Sequence, residues 1–434
     1  MINRQGLSVS LLNFMLTFPP ESLSGHIVPG LVSWRHLKRG VRPLGLYDEL
    51  KSLPGLNYKE MAWDFELEKK VLQDVERSEY QSWLQYHIRR EHHWFEVARH
   101  LMFTSPSDLF VIIFDGIDKL LHLCWRFLDP DCSQPFSIEA LKIRNLCLDY
   151  FGRLDSYIEE LVSLAGTEAQ TFFVSDHGFG PSREVFRVNT WLHERGYLAW
   201  RDPGEQDDAS QRSWERRMNS NVALLDWKKT KAYGRTPSSN AIYVRRSAIP
   251  GDGGVEASEY ESFRMKLADE LRQIVDPATG ERVVKYVWTR EEAFAGSQMD
   301  LAPDLTVGLR DHGFMSIKNA TPAFETRTEV TGTHDPTGVF FAAGSGLRVN
   351  ASVTEFSILD IAPIILHSLG LKIPENLEGV IPTEIFEASW LKANPVRAGD
   401  SSREVESMSE DAQPMLAGED AAIFEQLRAL GYIE

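Results

Sequence analysis

Asp108-Leu-Phe-Val-Ile-Ile-Phe114 is an unbroken apolar run with β-branched members, and Asp115-Gly-Ile-Asp-Lys-Leu-Leu-His122 follows it directly. A short continuous run of this kind reads as a strand buried on both faces of a parallel sheet. The helix expected from Ile117 to Leu128 then carries Asp118 and His122 one turn apart on a single face. Working outward, residues 138–164 read as a long amphipathic helix and Thr171-Phe-Phe-Val-Ser175 as the next short buried strand. Strand, helix, helix, strand in alternation predicts an α/β fold: a three-layer α/β/α sandwich around a mostly parallel sheet. Upstream, residues 7–18 read as a further strand, and the charged, aromatic stretch 66–102 reads as two helices. Downstream, core patterning resumes at 303–308 and 338–343, and 357–369 is an apolar helix closed by Gly370.

Residues 1–182 and 301–392 are accordingly expected to form the core, and 183–300 a cap inserted into it. The loop signals at 203–208 and 250–254 mark that insertion. Residues 393–420 are acidic, Ser-rich and nearly aperiodic, which predicts a linker, and 421–434 reads as a short terminal helix. The 434 residues are 43% hydrophobic, which excludes disorder of the whole chain, and 46 − 63 gives a net charge of −17. An average surface of that sign repels nucleic-acid polymers and anionic lipid. No run of 18 apolar residues exists to span a membrane. Residues 7–18 have the length of a signal-peptide apolar region, but their Ser and Asn interruptions and the Pro19-Pro20 stop favour a buried strand. Cys124, Cys132 and Cys147 are odd in number and match no metal-ligand spacing, so they read as packing residues of a reduced protein.

Three places set metal-binding residue types beside expected core strands, where open α/β sheets gather ligands at the carboxyl ends of their strands. The first is Asp118 with His122, whose i, i+4 spacing lets both share one cation; the bland reading is a solvated Asp and a surface His. The second is Asp176-His177-Gly178, a carboxylate and an imidazole at a strand end followed by a residue that permits a sharp turn, or else simply an Asx turn. The third is His334 in Gly332-Thr-His-Asp-Pro336, a polar loop before the strand at 339–343. Together they make an oxygen and nitrogen donor set without thiolate, which suits zinc, with manganese or iron as alternatives. Asp115 reads either as the N-cap of the following helix or as a hydrogen-bond partner behind a ligating His.

Asp-x-x-x-His, then Asp-His-Gly, then Gly-Thr-His, in this order among α/β strands, resembles the alkaline phosphatase superfamily, closest to its type I phosphodiesterase/nucleotide pyrophosphatase branch. The likeness extends through Val188-Asn-Thr-Trp-Leu-His193, the helix from Tyr260 before Asp276-Pro277, Ala302-Pro-Asp-Leu305, Ser357-Ile-Leu-Asp-Ile-Ala-Pro363 with Leu369-Gly370, and Leu427-Arg-Ala-Leu-Gly-Tyr432. The resemblance implies two divalent ions, with Asp118, His122 and His334 holding one and Asp176 and His177 most of the other. It also implies a strand ending in a metal-binding Asp, then a Thr or Ser nucleophile at a helix N-terminus. Both are expected upstream of the part that matches residues 1–18, so no catalytic nucleophile is assigned within this chain and the second metal site is incomplete. Ser175 and Thr333 adjoin ligands, but neighbouring residues tend to point away from the site.

What this implies is a metal-dependent hydrolase of phosphate esters acting on a small molecule, with turnover impaired in this chain. The alternative is a non-catalytic remnant that binds metal or a partner. In the complete site, two cations about 4 Å apart clamp the phosphoryl group while the hydroxyl attacks in line. Arg183, Arg187, Lys228, Lys229, Lys231 and Arg235 lie on or near the expected cap and either recognise the rest of a substrate or form a solvated basic face.

Overall fold

The computed structural model describes residues 1–64, 67, 77–132, 137–201, 224–236, 239–249, 251–351, 353 and 355–399. The linker beyond residue 399, the terminal helix and the loop signals at 203–208 lie outside these residues. In chain order the strands of three or more described residues are β1 (Val9–Phe14), β2 (Gly25–Pro29), β3 (Leu109–Ile112), β4 (Gln170–Val174), β5 (Gly178–Phe186), β6 (Ala232–Gly234), β7 (Ala241–Val244), β8 (Val284–Thr289), β9 (Leu305–Leu309), β10 (Phe324–Asp335) and β11 (Phe340–Gly344). The described residues divide into two compact units, one from 1–120, 137–178 and 337–399, the other from 121–132 and 179–336.

The fold is mixed α/β with a parallel sheet. In the first unit that sheet runs β2-β1-β3, with Leu11 of β1 set between Ile27 and Val111. Parallel pairing needs a long crossover, and the 28-residue helix Arg77–Thr104 lies within the one between β1 and β3. Its apolar stripe explains its place: Trp94, Phe95, Val97, Ala98 and Leu101 are buried with Leu12 and Val28 of the sheet, and Phe95 stacks on Tyr157 at 4.3 Å. Helix Ile138–Ala165 starts under a Ser137 cap, whose side chain accepts from the Ala140 N–H, and buries Ile143, Cys147, Tyr150, Leu154, Tyr157 and Leu161 at helical spacing. Strand β4 pairs antiparallel with β11, Phe173 opposite Phe341, and the two contribute Phe172, Phe340 and Ala342 to a second core around Ile364 and Phe386.

The second unit contains a four-stranded sheet, β6-β7-β9-β8, which is antiparallel throughout. Helix Tyr260–Arg272 buries Leu267, Ala268 and Leu271 in one core with Val284 and Val287 of β8 and Leu305, Val307 and Leu309 of β9. Strands β5 and β10 pair with each other. Gly and Pro disguise β5 in the sequence, and its residues beyond 182 read there as the start of the cap. Cys124 and Cys147 are buried cysteines outside any disulfide. No described helix is long and apolar enough to cross a membrane.

Candidate metal centre

Helix Gly116–Leu128 follows β3 after three residues and carries Asp118 and His122 on successive turns. His334 lies near the end of β10, so it is placed by a strand rather than by the polar loop its sequence suggests. The alternation Glu325-Thr-Arg-Thr-Glu-Val330 explains the difference, because Thr and Val at every second position favour an extended chain. His122 Nε2 and His334 Nε2 are 3.0 Å apart. His122 Nδ1 lies 3.3 Å from the Gly332 carbonyl oxygen, so its N–H donates there and the Nε2 lone pair is turned towards His334. Ring edges hold this arrangement: Phe179 meets His122 at 5.0 Å and His334 at 5.3 Å, and Phe314 meets His334 at 5.2 Å.

Asp118, His122 and His334 each offer one ligand atom, all within 4.8 Å of one another. Two imidazole nitrogens bound tetrahedrally to zinc at about 2.0–2.1 Å stand about 3.3 Å apart. The 3.0 Å observed is therefore close to the spacing of a shared cation. A ligating His commonly donates its other ring N–H to a carbonyl or carboxylate, which His122 does. The donor set and its geometry thus fit a divalent metal.

Asp176 and His177 fall in the turn between β4 and β5. His177 Nδ1 lies 3.0 Å from the Gly178 carbonyl oxygen, while Nε2 stands 3.8 Å from Asp118 Oδ1 and 3.5 Å from Asp176 Oδ1. His177 thus comes beside Asp118, whereas the Asp176 side chain is 73% exposed. Lys119 Nζ also donates to Asp118 Oδ2 at 2.9 Å.

Asp115 directly precedes the helix, and its backbone carbonyl accepts from the Lys119 N–H. Its carboxylate accepts from Arg90 Nη1 at 2.5 Å and from Asn13 Nδ2 at 2.9 Å. Burial would raise this carboxyl, but the charge and hydrogen bond of Arg90, with Lys119 and Asn13, more than offset that and hold it below the usual carboxylate value. Glu91 moves the other way: burial and then the Asp115 charge push it up, against the pull of Arg90 and the Gly116 N–H. Sequence reading missed Arg90, Glu91 and Lys119. Asn13 left one trace, a polar residue interrupting an apolar strand. Of the basic residues near the expected cap, Arg187 pairs with Glu325 and Lys229 with Asp226.

The strand-to-helix junction after β3 thus supplies a carboxylate and an imidazole close to the His334 ring. The chain belongs to the type I phosphodiesterase / nucleotide pyrophosphatase family, whose model matches residues 5–337. Among solved structures it is similar to phosphonoacetate hydrolase from Sinorhizobium meliloti 1021. The complex with phosphonoacetate gives 14% identity and a TM-score of 0.35, and the complex with phosphonoformate 14% and 0.34. Each alignment covers 77% of this chain and 64% of the other, so this chain spans under two thirds of that relative's length. No curated protein sequence matches the chain.

Proposed function

We propose that this protein is a metal-dependent hydrolase of small phosphate esters in which Asp118, His122 and His334 hold one divalent ion, zinc by donor type, with manganese or iron as alternatives. The observation that carries this reading is the approach of His122 Nε2 to His334 Nε2 at 3.0 Å with His122 Nδ1 committed to the Gly332 carbonyl. A divalent ion in this place supplies a Lewis acid for a phosphoryl oxygen. Asp118 contributes the oxygen ligand. The turn of His177 towards Asp118 makes that imidazole the start of a second position, to which Asp176 contributes by swinging in from solvent. Lys119, paired with Asp118, supplies a positive charge beside an anionic ester in a chain of net charge −17.

The attacking hydroxyl is assigned to no described residue at the site. Ser175 Oγ accepts from the Val339 N–H at 2.7 Å, and Thr333 is 3% exposed. The exposure of Asp176 favours a narrower second reading, a chain that binds one metal without turnover. Metal analysis together with bis-p-nitrophenyl phosphate hydrolysis separates the two. The expected result is uptake of a divalent ion and hydrolysis of the diester, both of which Asp118→Asn and His122→Ala abolish. A chain that takes up no ion, or hydrolysis indifferent to both substitutions, overturns the proposal.

A further inference from the structure

We infer that Asn13, Arg90 and Glu91 form a positioning cluster that fixes the first turn of helix Gly116–Leu128 and so the placement of Asp118; the inference rests on reading Asp118 as a metal ligand. The helix begins under restraint from two separate elements, β1 and helix Arg77–Thr104. Glu91 Oε1 accepts the Gly116 N–H at 2.7 Å, satisfying one of the orphan donors at the helix start. Asp115, just before the helix, is gripped by Arg90 Nη1 at 2.5 Å and Asn13 Nδ2 at 2.9 Å. Asn13 also donates to the Ile113 carbonyl at 2.8 Å and accepts from Arg90 Nη2 at 3.2 Å, which closes a ring of contacts around the β3-to-helix junction.

This ring is built, not incidental. Asn13, Arg90 and Glu91 are 3%, 1% and 2% exposed. Asn13 takes a left-handed φ of 56°, a conformation Asn tolerates better than most residues, as β1 ends. Gly116 leaves the room needed: a Cβ there would stand 2.7 Å from Glu91 Oε1 and 2.6 Å from the Tyr150 hydroxyl. A buried ionic group is weak support for stability, since apolar residues of like volume often serve as well or better. What this one supplies is a fixed origin for the helix, three residues before Asp118.

Outer partners of metal ligands typically control affinity by about 10–100-fold. The test is isothermal titration of the full chain with Zn²⁺, beside thermal melts. Asn13→Ala and Glu91→Ala are expected to weaken binding about tenfold or more. Glu91→Gln, which keeps an acceptor for the Gly116 N–H, retains wild-type affinity. Leu154→Ala, a buried change in helix Ile138–Ala165, lowers the melting temperature while leaving affinity within about twofold, which separates positioning from general destabilisation. Wild-type affinity in folded Asn13→Ala and Glu91→Ala, with Asp118→Asn still abolishing binding, overturns this inference alone. A wild-type chain that binds no ion removes the metal reading beneath it as well.

Discussion

His122 has its two ring nitrogens committed in opposite directions, one to the Gly332 carbonyl and one to His334. Truncation should therefore remove a ligand and leave the fold standing. His122→Ala is expected to keep its circular dichroism spectrum and lose at least about tenfold in metal affinity by titration. Glu91 makes a pH prediction. Its folded value, pushed up to about 8, lies above the unfolded one, so its contribution to stability is complete below about pH 4.3 and is lost as pH rises through about 8. Asp115, held low, contributes in the opposite sense, above the ordinary carboxylate value and lost as pH falls through its own. Unfolding free energies from urea titrations should fall between pH 5.5 and 8 in the wild type relative to Glu91→Gln by about 1 kcal/mol or more, one pKa unit being worth about 1.4. A parallel course in the two proteins would contradict the assignment. Asp118 and His122 are readable in the sequence because their spacing is local. Arg90 is not, because its partners are 77 and 25 positions away and its helix is charged along its length.

At the scale of elements, β3, the helix after it, helix Ile138–Ala165 and β4 follow from continuous apolar runs and helical periodicity, within a residue or two of their observed bounds. The pair β5 and β10 does not. Gly178, Gly180 and Pro181 imitate a turn, and the charges of β10 imitate a loop, although both form strands paired with each other. Pairing is a non-local contact, which no window of sequence contains. Within β10, Gly332 has no latitude: a Cβ there would fall 2.1 Å from the Leu121 carbonyl oxygen, in the helix that bears His122. Gly332→Ala should destabilise by about 1–3 kcal/mol or more, as overpacking does, and should weaken metal binding by displacing His334. Chemical denaturation measures the first effect and titration the second. An unaltered Gly332→Ala protein would show that β10 and this helix do not press together as described.

At the scale of the molecule, net charge −17 makes a phosphate ester an unwelcome ligand on average, and a divalent cation reverses that locally. A cation that binds the folded chain and not the unfolded one stabilises it by about 2.7 kcal/mol at 100 times its Kd. Differential scanning fluorimetry should show the melting temperature rising with Zn²⁺, falling with a chelator, and indifferent to both in Asp118→Asn. The family itself was legible from scattered short motifs, since each ligand type stands beside a strand or helix whose pattern is plain. The bounds of the two units among the described residues depend on which strands find each other, which no local pattern states. Zinc K-edge absorption of the zinc-loaded chain tests the centre most directly. The account predicts a nitrogen and oxygen shell at about 2.0–2.1 Å containing two imidazoles, with no sulfur. A shell without imidazole, or one unchanged in His334→Ala, would contradict it.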